Sequence, residues 1–266
     1  MTEKHKNFVK QHEEHDKDGA GCIVYCTSDY DEGNPHSHRY NAAEQARGEG
    51  RVPYSSYCHS PFEVGTWSLS KLNQFKNQGG LASAITYSGT QPVASVKPYA
   101  VEFHPFPHQG HHIIPSENLE IALTKVMKVA GSRAAEVQNF VVGAILKEPY
   151  NNNDKPNMIV LPTQLQDSQV LGLPKHLGSH PNYSKMVYGK VVRKFNKAYK
   201  GVAKAIKNME HVEDQDVPPI KPDMLSISVG MYEAVITTAV AKRSAGRTLN
   251  EVSDVLKKCY KPAVIG

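Results

Sequence analysis

The stretch from Pro181 to Met209 constrains the fold more than any other. Val187, Val191, Phe195, Tyr199, Val202 and Ile206 recur there at three- and four-residue spacing, the pattern that lines one face of an α-helix. A helix striped in this way must bury that face against other elements. The segment therefore predicts a long amphipathic helix, or one kinked at Gly189 or Gly201, inside a packed domain. Its remaining faces are basic. Lys185, Lys190, Arg193, Lys194, Lys197, Lys200, Lys204 and Lys207 lie between Asn182 and Met209 with no acidic residue among them. A solvated helix face has this pattern, and so does a surface that tracks a polyanion's backbone without reading bases.

The rest of the chain divides around this helix. Residues 1–100 read as an irregular region: a charged arm first, then Tyr-, Ser-, Gly- and Pro-rich sequence with short apolar runs such as "CIVYC". Residues 101–210 carry a strand-like "GHHIIP", a helical segment from Ser116 to about Lys147, and a second strand-like run, "NMIVLP". The long basic helix closes that part. Residues 211–266 follow as an acidic, proline-rich connector and two helices. The expected class is α+β, a small two-stranded ribbon and helix embedded in a mostly helical domain.

With 266 residues the chain can bury a real core unaided. Cys22, Cys26, Cys58 and Cys259 are too few and too irregularly spaced for a disulfide scaffold. Cys22 and Cys26 with His36, His38, Cys58 and His59 fit no zinc pattern, so no metal is assigned to them. The N-terminus has no apolar core of a Sec-type signal, and no run approaches the roughly 18 residues of a membrane span. The expectation is a soluble protein with no membrane partner.

Among thirteen histidines two arrangements have ligand-like spacing: His111 with His112, and His176 with His180 in "LPKHLGSHPNY". Neighbours in an extended segment point to opposite faces, so His111 and His112 suit two different roles. The H-x3-H pair, shaped by Gly178 and Pro181, can aim both rings to one side of a turn. Such a set fits metal-assisted phosphodiester hydrolysis, in which a cation neutralises phosphate charge and a neutral imidazole takes a proton from water. His104 and His108 would line the approach, and Tyr183 suits core packing better than phosphate contact.

"GHHIIP", "NMIVLP" and "LPKHLGSHPNYSKMV", in that order over roughly residues 104 to 207, resemble the AHH/GHH branch of the HNH, or ββα-metal, nuclease superfamily. The resemblance implies a ββα-metal nuclease core with His111 as metal ligand and His112 as general base. It makes His180 a further ligand, and His176 a ligand or a phosphate contact. Asn157 matches the Asn that orients the base or the backbone of its hairpin, with Asn139 and Asn151 to Asn153 as rivals. The wide spacing from His112 to His176 makes the intervening helical segment an insertion. Lys185, Lys190, Arg193, Lys194 and Lys197 become candidate nucleic-acid contacts.

The resemblance also implies one divalent ion. Imidazole ligands suit Zn²⁺, Ni²⁺ or Mn²⁺ better than Mg²⁺, and its identity stays open. The expected activity is sequence-nonspecific cleavage of DNA, in an antibacterial toxin made in a producer's cytoplasm. Delivery would run without a Sec signal, by a type VI or similar machine, into the target cell's cytoplasm. A cognate immunity protein, and a secretion apparatus or chaperone handling residues 1–100, would be partners. Two alternatives stand beside this: a ribonuclease using the same site, and a non-catalytic nucleic-acid-binding module with a structural zinc. A structural zinc would be closed by four protein ligands, and the motif offers three with a separate base.

Overall fold

A computed structural model describes residues 21–23, 33–47, 87–88, 91–92, 108–163, 165, 168–169, 172–212, 217–241 and 243–265. In chain order the elements are α1 (His38–Arg47), a two-residue ladder of β1 (Tyr87–Ser88) and β2 (Gln91–Pro92), β3 (His108–His112), α2 (Ser116–Met127), α3 (Ala134–Lys147), β4 (Met158–Pro162), α4 (Pro181–Lys207), α5 (Lys221–Val240) and α6 (Leu249–Cys259). The class is α+β, a small antiparallel ribbon within a helical frame.

β3 and β4 pair antiparallel, with His111 opposite Ile159 and His112 opposite Met158. Every residue of β4 is buried. α1 packs on it and β3 pairs with it, and with all five residues buried it reads as a continuous apolar run and not as an alternating one. The insertion between the two strands is a pair of helices. A 3₁₀ segment, Lys128–Arg133, joins α2 to α3, and Gly131 turns the chain there with φ +61°, a conformation that an L side chain resists. Pro115 occupies the N-cap of α2 without a side-chain cap bond, and Ser116 is the first helical residue. Asn118 faces inward instead, where its amide donates to the Ser184 carbonyl of α4 at 3.2 Å.

α4 runs 27 residues without a break. Neither glycine interrupts it, and a Cβ at either Gly189 or Gly201 would meet nothing within 4 Å. Its apolar stripe is buried throughout: Val187, Val191, Phe195, Tyr199, Val202 and Ile206 all lie in the core. Burial of that stripe against α2 holds the helix in place.

Both ends of the described chain join this core. Cys22 bridges to the Tyr150–Asn152 turn through Cys22 N to Tyr150 O at 2.8 Å and Asn152 N to Cys22 O at 2.6 Å. α1 packs on the β3–β4 ribbon. At the other end, Glu148 accepts from Ile220 N and Lys221 N at 2.7–2.9 Å. A carboxylate at the N-terminus of α5 satisfies open donors and complements the helix dipole. α6 begins with a capping box between Thr248 and Glu251. Among the described residues no helix is long and apolar enough to cross a membrane.

Candidate metal centre and active site

His111 and His112 are buried on β3 and separate as strand geometry requires, into two different neighbourhoods. His111 meets the loop that follows β4. Its Nδ1 lies 3.1 Å from Nε2 of His176, and its ring centroid is 4.7 Å from that of His180. One ring nitrogen from each of His111, His176 and His180 can be chosen so that all three lie within 4.8 Å of one another.

Backbone contacts deliver the two loop histidines. His176 N donates to Pro162 O at 2.8 Å, which ties the loop to the end of β4. Lys175 is bridged on both sides to the start of α6, through Arg247 O and Leu249 N. Gly178 takes φ +53°, a left-handed turn that suits glycine, and His180 becomes the N-cap of α4 with Pro181 at its first position. Tyr183, one turn on, is fully buried. Its hydroxyl donates to Ile113 O at 2.8 Å, and its ring packs edge-on against both His111 and His180.

The three imidazoles are held neutral. Burial, and then the neighbouring rings His176, His180 and His112, drive the pKa of His111 well below its usual value. Burial, reinforced by His180, brings His176 down to about 4, and His180 is lowered mainly by burial. Neutral imidazoles keep lone pairs for a metal. Two neutral rings can share only one hydrogen bond. His111 Nε2 and His176 Nδ1 are buried with no hydrogen-bond partner among the described residues. Such unsatisfied polar atoms are costly in a core with no cation, so these three residues are positioned to hold a metal ion.

His112 has a different partner. Its Nε2 lies 3.0 Å from Asn153 Oδ1. The orientation of that amide is fixed, because Asn153 Nδ2 donates to Asn151 Oδ1 at 3.2 Å and Asn151 Nδ2 donates to Pro35 O at 2.6 Å. Asn153 therefore presents an acceptor, the His112 proton sits on Nε2, and Nδ1 carries the lone pair. Burial lowers the His112 pKa to about 4, against a raising contribution from Asn153. The ring of His38, on α1, stacks on His112 with centroids 5.7 Å apart.

Asn157 does not touch His112. Its Oδ1 accepts from Ile114 N at 2.7 Å and from Ser228 Oγ at 2.9 Å, while its Nδ2 donates to Ile114 O and to Asn152. With its own carbonyl accepting from Ile113 N, it clamps the backbone just after the histidine pair to α5 and to the Asn-rich turn. The partner of His112 is thus a residue of the "NNND" run, Asn153. Asn139 lies elsewhere, on α3 in a shallow groove with Glu136 and Lys147.

The four histidines and His38 open on one cleft of about 410 Å³, bordered also by Pro115, Ser116 and Glu117. The candidate nucleic-acid contacts on α4 are dispersed around the helix. Lys185, Lys190 and Arg193 line a neighbouring cleft. Lys194 is paired with Asp223 of α5, and Lys197 is exposed farther along. Cys26, Cys58, His59 and His104 lie outside the described residues, as does the side chain of His108.

Residues 93–215 match the family model AHH, described as a nuclease family of the HNH/ENDO VII superfamily with conserved AHH. Over this segment, less than half of the chain, the sequence is similar to the AHH nuclease family. No curated protein and no solved structure matches the chain. In the AHH segment the histidine pair is preceded by Gly110, where the family's motif has Ala. A Cβ at Gly110 would come 3.3 Å from the Ala42 Cβ and 3.6 Å from the His38 ring. α1, which precedes the matched residues, packs tightly enough there for glycine to relieve the contact.

Proposed function

We propose that this chain is a divalent-metal-dependent, sequence-nonspecific endonuclease acting on DNA. His111, His176 and His180 hold the ion, and His112 is the general base. The observation that carries the reading is the division of the adjacent histidines, one facing two other imidazoles and the other held by Asn153. A bound ion would supply positive charge against the scissile phosphate and the departing 3′ oxygen. Zn²⁺, Ni²⁺ or Mn²⁺ suits three imidazoles better than Mg²⁺.

The protein's own groups do the rest. Nδ1 of His112 accepts a proton from water as the water oxygen attacks phosphorus. Asn153 holds the ring in that tautomer and supports the imidazolium as it forms. Asn157 positions the backbone that carries the pair, and touches neither base nor ion. A ribonuclease would use the same groups. A toxin role with an immunity partner and delivery by a contact-dependent machine is part of the proposal, and the family resemblance supports it.

Purified protein incubated with supercoiled plasmid and with RNA, with EDTA or a panel of divalent ions, tests the activity. Metal-dependent loss of plasmid with RNA intact is expected. Cleavage that persists in EDTA would remove the ion from the reading, and parental nicking by His112→Ala would remove the base. Growth arrest on expression, relieved by His112→Ala, is the expected sign of toxicity.

A further inference from the structure

A second cleft, of about 530 Å³, opens between α4 and α6. Lys185, Lys190 and Arg193 line it from α4 and Lys257 from α6, against one acidic lining residue, Asp254. None of these four cations makes an ion pair within the described structure, whereas Lys194 on the same helix is neutralised by Asp223. Lys190 Nζ sits 3.4 Å from the centroid of the Tyr260 ring, an arrangement that orients an ammonium without cancelling its charge. Burial, with Arg193 and Lys257 beside it, lowers the Lys190 pKa. Crowded cations of this kind are relieved by an anion.

The walls are fixed. Asn250 Oδ1 accepts from Asn182 N at 2.7 Å where α4 and α6 meet, and Val252 and Leu256 bury the inner face of α6. The floor is bare backbone at Gly189, where a Cβ would meet nothing within 4 Å. The cleft also adjoins a groove that leads toward the histidine site. Lys185 borders the groove that reaches His180, Glu117 and Pro115, and those three residues border the histidine cleft.

We propose that the α4–α6 cleft is a second phosphodiester-binding site. It would hold the backbone of a nucleic acid whose scissile phosphate lies at the histidines, a proposal that rests on the nuclease reading. Proximity to that site, with Lys185 bordering the intervening groove, favours a nucleic acid over an acidic protein as the occupant. From His180 to Arg193 the helix rises roughly 20 Å, the span of about six base-pair steps. α6 lies beyond the residues that match the family model, so the cleft is a feature that this chain adds to the nuclease segment.

The test compares the parent in EDTA with Gly189→Glu and with the triple variant Lys190→Ala/Arg193→Ala/Lys257→Ala, by anisotropy of a long labelled DNA duplex across a salt series. Gly189→Ala is the folding control. The glutamate has open space to enter, so loss of binding in Gly189→Glu with unchanged circular dichroism reads the cleft and not the fold. Binding at least roughly tenfold weaker is expected for both cleft variants, with parental binding by Gly189→Ala. The triple variant should also lose about two to three units of salt slope, near 0.9 for each phosphate contact. With metal restored, cleavage of long duplex should fall, and cleavage of bis(p-nitrophenyl) phosphate, too small to reach from the histidines to the cleft, should not.

Parental affinity and slope in both cleft variants would overturn the second site while leaving the nuclease reading intact. A parent that neither binds nor cleaves DNA or RNA would overturn both. Labelled polyglutamate bound more tightly than duplex, and lost in the cleft variants, would make the cleft an acidic-protein site and overturn the proposal.

Discussion

Asn153 Oδ1 accepts from Nε2 of His112 at 3.0 Å, and Asn151 fixes the direction of that amide. The contact selects one tautomer of the ring and leaves Nδ1 as its basic nitrogen. A side chain that belongs neither to the histidine pair nor to the ligand set thereby decides which atom can take a proton.

Replacing His112 by Ala should lower the rate of plasmid cleavage by about 10²–10⁴-fold, the usual worth of a positioned base. Metal affinity should hold, because His112 is not one of the three clustered rings. His111→Ala should lose both. Calorimetric metal titration beside plasmid nicking separates the two outcomes, and weak metal binding by His112→Ala would count against the assignment.

Asn153 and Asn157 should fail in different ways. Asn153→Ala removes the acceptor of His112 Nε2 and should lower kcat by roughly tenfold or more with KM little changed. Asn157→Ala removes a buried group bonded to Ile114, Asn152 and Ser228. Its expected cost is about 2–4 kcal/mol of stability, read by urea unfolding. A stable Asn157→Ala protein would show that the clamp is dispensable.

Tyr183→Phe keeps the ring against His111 and His180 but leaves Ile113 O without its 2.8 Å donor. A loss of about 1–2 kcal/mol is expected, with metal affinity within a few-fold of the parent. Thermal unfolding and metal titration check both.

Asp154 sets a pH dependence of stability. Burial, opposed in part by Lys221 and Asn151, pushes its carboxyl up from 3.8 to about 6. The native state therefore keeps a proton that the unfolded chain releases. Stability from this group is complete at low pH, falls as pH rises through that window, and stays reduced above about 6. Asp154→Asn should stabilise the protein by on the order of 1–2 kcal/mol at neutral pH and by little near pH 4. An equal effect at both pH values would remove Asp154 as the cause.

Metal should also stabilise the fold. Zn²⁺ at about a hundredfold excess over its Kd should add about 2.7 kcal/mol if it binds only the native chain. EDTA should reverse the shift, and His176→Ala should abolish it, both read as the change in Tm.

Much of this site is legible in short-range sequence. Alternation along a strand separates His111 from His112, the H-x3-H spacing brings His176 and His180 to one turn, and the stripe from Val187 to Ile206 forms the long helix without reference to anything distant. The bend at Gly131 is less visible, because helical periodicity continues on both sides of it. Asn153 carries no local signal that separates it from Asn151, Asn152 or Asn157. All four stand close in sequence, and only the path of the turn decides which amide meets His112.

The sequence by itself determined the two strand runs, the buried face of α4 and the residue types of the site, because periodicity and turn chemistry act over a few residues. Tertiary structure decided which groups meet. His38 reaches His112 from an early helix, Ser228 reaches Asn157 from a late one, and Lys257 completes a cleft with Lys190 while Asp223 takes Lys194 out of it. Such pairings depend on how whole elements pack, and no local pattern encodes the distance between side chains that far apart in the chain.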